Sequence, residues 1–443
     1  MWPWRGARAG LARGAPVPLS RRAPAPASGE EHLGLDLPPE VEDICRNVTR
    51  WARALPPELF TTAAEQGVFP AEAVLALLHL GVQRAALPVR SGGLGLGAVG
   101  GGAALSRLAA VECSLAAVVM ASASCAALLH LGGTPSQKRR WLRPLLRGEG
   151  LGAIALTEPD GGSDLAAVRT RAEAAPDGWH LFGHKTFITN AAGPLLHVVV
   201  TLARVDGAGP CCFAVPAGTP GLRLGPPLRP IGWTAAGVGD VTFDGCLVRN
   251  AMLGAPGKGL SLVLRALTQG RLAIAAIGAG LAQGAWERCL ARARGRVSAN
   301  GRLLDHEAVR RMLVDMWVRA AAARLFALDA AAALDAGRDV RTEAAMAKLV
   351  ATEAAVDNAK SAVQIFGAAG TRPGEPVARL WGDAKVLEIV EGTSEIQRLV
   401  LGRALERASP EAPTEAVPVA GRGAARGGPG RAEAVPPGST PGT

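Results

Sequence analysis

The chain has 443 residues, 49% of them hydrophobic, which is enough to bury a core across two or three domains and excludes a disordered polymer. Half of its net charge of +10 resides in the first 29 residues, which hold Arg5, Arg8, Arg13, Arg21 and Arg22 and no acid. No basic run with interleaved aromatics follows, which argues against a nucleic-acid partner. The seven cysteines form no C-x-x-C pair and the seven histidines no H-E-x-x-H pair, so neither a disulfide framework nor a metal site is expected.

Residues 1–29 are rich in Arg and Ala and lack the continuous apolar stretch of a secretory signal, so they read as a mitochondrial transit segment. Residues 36–150 read as helices: Val41 to Leu55 opening after Pro38 and Pro39, then Phe69 to Leu80 and Ala103 to Ser124. Cys113 to Leu131 has the length and hydrophobicity of a membrane span. Its Ala and Ser content, Glu112 at its edge and His130 within it point instead to a buried helix, so no span is expected. Gly92 to Gly100 contains a G-x-G-x-x-G match. No strand precedes it and no acid follows at ribose distance, so it reads as a connecting loop. Gln137 to Leu146 reads as a basic amphipathic helix with a solvated face.

From 151 to 258 the period changes to two, with strands at Trp179 to Thr189, Val198 to Ala203, Cys212 to Val215 and Val241 to Phe243 between turns rich in Gly, Pro and Asp. From 259 to 408 long helices return at Leu260 to Arg294, Asp305 to Ala336 and Thr342 to Phe366, the series expected of a four-helix bundle. Residues 409–443, rich in Pro, Gly and Ala, read as a disordered tail. The fold class is therefore mostly α, with a β-barrel-like middle domain inserted between an N-terminal helical domain and a C-terminal bundle.

The stretch from Ile389 to Arg398 carries the chemistry. Glu391 precedes Gly392, whose missing side chain lets a flat ligand approach the carboxylate, and a helix start whose open amides favour an anion or a polar cofactor edge. Ser394 and Gln397 have the spacing of a capping box, and Ile396, Leu399, Val400 and Ala404 give the following helix an apolar face.

The sequence Val390-Glu-Gly-Thr-Ser-Glu-Ile-Gln-Arg398 resembles the catalytic segment of the acyl-CoA dehydrogenases, and the order of helices, strands and bundle is that family's layout over roughly residues 35–405. The short-chain members are the most similar. The resemblance implies that Glu391 removes the α-proton of a fatty acyl-CoA while FAD accepts hydride from the β-carbon at N5, giving a trans-2-enoyl-CoA. It further implies electron-transfer flavoprotein as redox partner, a homotetramer and a mitochondrial matrix location.

Residue by residue, Ala155-Leu-Thr-Glu-Pro-Asp-Gly-Gly-Ser-Asp164 resembles the first flavin segment, with Thr157 and Ser163 as contacts and Ser163 also near substrate. Phe187, Ile188 and Thr189 match the stretch flanking the flavin ring, with Phe187 where the family usually has tryptophan. Thr268, Gln269, Gly270 and Arg271 match the acyl-CoA channel. Some relatives carry their base at the position of Gly270, so Glu391 has no rival there; Gly392 completes the substrate set. Arg296 matches the arginine that reaches the pyrophosphate across a subunit interface. Gln364, Ile365, Phe366, Gly367 and Ala368 match the neighbour-subunit loop at the adenosine end, and Thr393, Ser394 and Glu395 meet the same cofactor. The chain departs from the pattern at Thr234, Glu307, Gly382 and Val390. Those departures define the alternatives: a catalytically weakened flavoprotein with a binding or assembly role, or an acyl-CoA oxidase.

Overall fold

The structure is a computed structural model that describes residues 37–299, 301–372 and 374–407. The expected transit segment and tail lie outside the described residues. The helical N-terminal part comprises α1 (Pro39–Arg53), α2 (Pro57–Gln66), α3 (Ala71–His79), α4 (Gly97–Val111), α5 (Cys113–Gly132), α6 (Pro135–Gln137) and α7 (Arg143–Arg147). Prolines start α1 and α2, where the missing N–H costs nothing, and Gly67 ends α2 in the left-handed region.

Two readings of this part need correction. The glycine run is not all loop, because α4 begins at Gly97. A Cβ built at Gly101 would stand 3.0 Å from Ala86 Cβ, and one at Gly102 would stand 3.4 Å from Ala276 Cβ; the glycines are packing surfaces within a helix. The helix expected from Ala103 to Ser124 breaks at Glu112. There the backbone turns extended and the carboxylate accepts from the Ser114 amide at 3.2 Å, capping α5. α5 is a core helix as expected, and the segment after it buries Trp141, Leu142, Leu145 and Leu146 beneath its basic face.

The middle part is an eight-stranded sheet of β1 (Leu151–Ala155), β2 (Arg171–Ala175), β3 (Gly178–Ile188), β4 (Leu196–Val205), β5 (Gly209–Pro216), β6 (Leu222–Leu224), β7 (Gly239–Val248) and β8 (Met252–Leu253). The order is β6-β7-β3-β2-β4-β5-β8, with β1 parallel to β4. The chain then returns to helices: α8 (Gly259–Gly295), a small hairpin of β9 (Val297–Ser298) and β10 (Gly301–Arg302), α9 (Glu307–Asp335), α10 (Arg341–Phe366), α11 (Pro376–Ile389) and α12 (Ser394–Arg407).

One core cluster joins α1 to α5 with α8, α9, α10 and α11, and a second fills the space between α5, the sheet and the start of α8. A third, almost entirely alanine, lies between α8, α9 and α10. Small residues bring these backbones close. A Cβ at Gly280 or Gly284 would collide with the carbonyl oxygens of Ser106 and Ala110 on α4, and one at Gly278 would stand 2.8 Å from Ala351 O on α10. Asn358 Nδ2 on α10 donates to Ala282 O at 3.0 Å and Met316 O at 2.9 Å, fastening α8 and α9 together. Asn190 Nδ2 does the same between Val118 O of α5 (3.0 Å) and Gly152 O of β1 (2.9 Å).

Candidate active site

Glu391 lies in the short connection between α11 and α12. Its φ of +55° and that of +89° at Gly392 put two consecutive residues in the left-handed region, a strained arrangement for a glutamate. Two buried side chains hold it. Lys348 Nζ, on α10, donates to Gly392 O at 2.7 Å and Glu388 O at 3.2 Å. Gln397 Nε2 donates to Gly392 O at 2.7 Å and reaches Glu391 O and Thr393 O at 3.4 Å.

The expected capping box does not form. Thr393 caps α12, its Oγ1 accepting from the Ile396 amide at 3.3 Å, while Ser394 is the first helical residue with its Oγ buried and without a hydrogen bond. Gln397 is needed behind the carboxylate loop, which is why it does not reach back to a cap.

The Glu391 residue is half-buried, yet Oε2 is sealed from solvent and has no hydrogen-bond partner. Burial pushes the carboxyl up to about 7, against the opposing pull of the Arg271 and Lys348 charges. The carboxylate occupies the space beside Gly270, where a Cβ would collide with Oε2 and stand 2.7 Å from Cδ. Arg271, next on α8, is half-buried with Nε unbonded, and burial lowers its pKa against the attraction of Glu391. Lys348 is pulled down to about 8 by burial, with Glu391 opposing. Sequence reasoning missed Lys348. Its signal was present: it shares the face of buried Ala344, Ala347, Ala351 and Ala355, a position that an unpartnered lysine would not occupy.

The two segments read as flavin-binding come together. Thr186 N donates to Thr157 O at 3.0 Å, and the Gly162 turn, with exposed Ser163 beside it, folds back on the Thr157 methyl. The β3–β7 register slips between Lys185 and Ile188, and Phe187 in this bulge has φ +57°, which leaves its ring 64% exposed while Ile188 is buried. An aromatic face presented to solvent beside Thr189 fits one wall of a planar cofactor. Behind this wall Lys185 Nζ binds Glu158 Oε1 at 2.8 Å and Leu156 O at 3.0 Å, with Thr170 on the same carboxylate.

Arg296 and Gln364 to Ala368 are elsewhere. They gather at the far end of α8, where the Arg292 guanidinium lies over the Phe366 ring at 4.6 Å. At 1.5 Å per residue, Arg296 is about 39 Å along α8 from Gly270. These residues and Glu391 cannot reach the same part of one ligand within a single chain. Glu307 is exposed in the first turn of α9, where an acid suits the helix dipole. Gly382 permits a backbone contact that an arginine would block: a Cβ there would collide with Ile231 O. Beside it, buried Asp383 accepts from the Trp233 amide at 2.6 Å, and Arg379 joins Glu112 at 3.2 Å.

Three acyl-CoA dehydrogenase domain models match the chain: the N-terminal domain at 38–149, the middle domain at 153–246 and the C-terminal domain at 257–406. The chain is 35% identical over 361 residues to the mitochondrial short-chain specific acyl-CoA dehydrogenase of Homo sapiens, covering 79% of this chain and 87% of that protein. Butyryl-CoA dehydrogenase from Megasphaera elsdenii superposes with a TM-score of 0.80 at 31% identity, over 84% of this chain and 99% of the other. A chain of the structure described as the electron transferring flavoprotein of Acidaminococcus fermentans gives 0.81 at 29% identity, over 84% and 99%. With its three domain matches, its helix–sheet–helix order and a buried carboxylate facing Gly270, the chain belongs to the acyl-CoA dehydrogenase family of FAD-dependent enzymes.

Proposed function

We propose that the chain dehydrogenates a short-chain acyl-CoA across its α,β-bond, with Glu391 as the base. The observation that carries this is the sealed, unbonded Oε2 of a carboxyl raised to about 7, set in a strained loop that two buried side chains brace. A glutamate at its ordinary value is too weak a base for an α-proton, and one raised toward neutrality is better matched to the task. Burial supplies that shift. The space left by Gly270 lets Oε2 sit against α8, and the Lys348 and Gln397 clamps keep the backbone from relaxing away from the substrate. The Glu391 amide is the chain's candidate donor to the thioester carbonyl, which would acidify the α-carbon. Thr157, Ser163 and Phe187 to Thr189 would hold the flavin, which supplies the acceptor for the β-hydrogen.

The separation of about 39 Å between Gly270 and Arg296 favours a homotetramer in which Arg296 and Gln364 to Ala368 serve a neighbouring chain's cofactor; sedimentation of the purified protein tests this. Electron-transfer flavoprotein as acceptor, a matrix location and a transit segment at 1–29 fit the mitochondrial relatives. Domain limits of 36–150, 151–258 and 259–408, with a tail at 409–443, complete the reading. Anaerobic addition of butyryl-CoA should bleach the flavin of the wild type. Glu391→Gln should keep its flavin and lose bleaching by at least about a thousandfold, since the general base is gone. Bleaching at the wild-type rate would remove Glu391 from the mechanism.

A further inference from the structure

A cavity of about 1240 Å³ lies between α1, α4, α5, α8 and α9. Glu391 does not line it, but Gln269, Leu272 and Ala273 do. Ala273 is one turn along α8 from both Gln269 and Gly270, so the cavity begins on the face next to the one that receives the carboxylate. Small residues line part of it, among them Gly101, Gly102, Ala276 and Gly280, and its volume exceeds what a four-carbon acyl chain requires.

Arg324 of α9 stands on the wall of this space, which mixes apolar and charged side chains. It makes no hydrogen bond or ion pair among the described residues, and burial, with the like charge of Arg107 adding to it, lowers its pKa to about 10. Arg107 lines the same cavity and hydrogen-bonds the Cys45 thiol. The carboxylates on the cavity wall are engaged elsewhere. Glu42 pairs with Arg46 at 3.5 Å, Glu287 with Arg53 at 3.5 Å and Gln283 at 3.0 Å, and Asp335 accepts from the Ala98 and Val99 amides at 2.7 and 3.0 Å. A half-buried guanidinium without a counter-charge among the described residues is unfavourable, and its fork matches a carboxylate.

The position of Arg324 sets the length of the ligand. α9 runs back along α8, with the Trp286 and Trp317 rings stacked at 5.9 Å. Arg324, seven residues past Trp317, is thereby level with Ala279, about 14 Å along α8 from Gly270. This span corresponds to an acyl chain of roughly ten carbons.

We propose that Arg324 binds the distal carboxylate of a medium-length ω-carboxyacyl-CoA whose thioester end is presented to Glu391. The proposal rests on the dehydrogenase reading above and adds a substrate class to it. The test uses the flavin-loaded enzyme with paired substrates of equal length: octanoyl-CoA with octanedioyl-CoA, and decanoyl-CoA with decanedioyl-CoA. Butyryl-CoA serves as the reference. The expected result is a KM for the decanedioyl ester below that of decanoyl-CoA by roughly 10- to 100-fold, the range of a charge-assisted hydrogen bond, with the ratio collapsing toward one in Arg324→Met and partly kept in Arg324→Lys. Calorimetry with free decanoate and 1-decanol gives a readout independent of turnover: the anion should bind more tightly to wild type and lose that advantage in Arg324→Met. A wild-type enzyme that turns over butyryl-CoA but prefers the uncharged chain at every length overturns the subsite and leaves the dehydrogenase intact. Failure of butyryl-CoA itself to bleach the flavin strikes the parent reading, and the calorimetric comparison still decides the carboxylate site.

Discussion

At the scale of one residue, the raised carboxyl of Glu391 makes a double prediction about pH. Burial holds the folded carboxyl at about 7, above its ordinary value of 4.5. The unfolded chain therefore loses this proton first, and stability falls as pH rises from about 4.5 to about 7. Glu391→Gln removes that penalty. It should raise the unfolding free energy by about 1–3 kcal/mol at pH 8, allowing for partial exposure, and leave it nearly unchanged at pH 4. Chemical denaturation at the two pH values checks the difference. In the wild type, kcat/KM should climb through about pH 7 as the base ionises. Activity and stability thus move in opposite directions over the same interval. The sequence showed Glu391 and Gly392 because the motif names them. Lys348 was overlooked despite its place among the alanines of α10, because a lysine in an alanine-rich helix ordinarily points to water, and only the packed fold shows its two carbonyl partners.

At the scale of an element, α8 shows where glycine departs from its intrinsic propensity. In an exposed helix, Gly→Ala gains up to about 1 kcal/mol, as it should at Gly402 on α12, where a Cβ meets nothing within 4 Å. At Gly284 the same change drives a methyl into Ala110 O and should cost about 2–3 kcal/mol net. Melting of the two variants against wild type should give shifts of opposite sign. The long helices and main strands were readable because their periodicity runs for many residues: α8, α9, α10 and β3 begin and end within a few residues of the expected limits. The Gly97 to Gly102 stretch was not, since a glycine run carries no periodicity and its role is set by Ala86 and Ala276, which are remote in sequence. The capping box failed for a similar reason. Spacing fits Ser394 with Gln397, but it cannot show that the loop behind Glu391 has a stronger claim on the glutamine amide.

At the scale of the whole molecule, the order of helices, sheet and helices was legible, while the joints between them were not. The Glu158–Lys185 pair illustrates this, lying behind the cofactor wall with both residues buried. Burial alone pushes the Glu158 carboxyl up, but hydrogen bonds from Lys185, Thr170 and the amides of Arg169 and Thr170 outweigh it and hold it at about 2. Its folded value lies below the unfolded one, so its contribution is present above about 4.5 and is lost as pH falls toward 2. Acid should loosen the sheet in that window, and in Glu158→Gln unfolding should become less pH-dependent there, as monitored by denaturation at a series of pH values between about 2 and 5.

The amide of Asn190 shows how chemical ageing could act on such a joint. Spontaneous deamidation would replace its NH2 with an oxygen, so that an anion faced the oxygens of Val118 and Gly152 where a donor had stood. A single hydrolysed side chain would then repel the helical layer and the sheet it now ties together, and Asn190→Asp should reproduce this with a loss of about 3–5 kcal/mol in urea unfolding. The packing around Asn190 leaves the residue fully buried, so the fold itself keeps water from the one carboxamide whose loss would undo this joint.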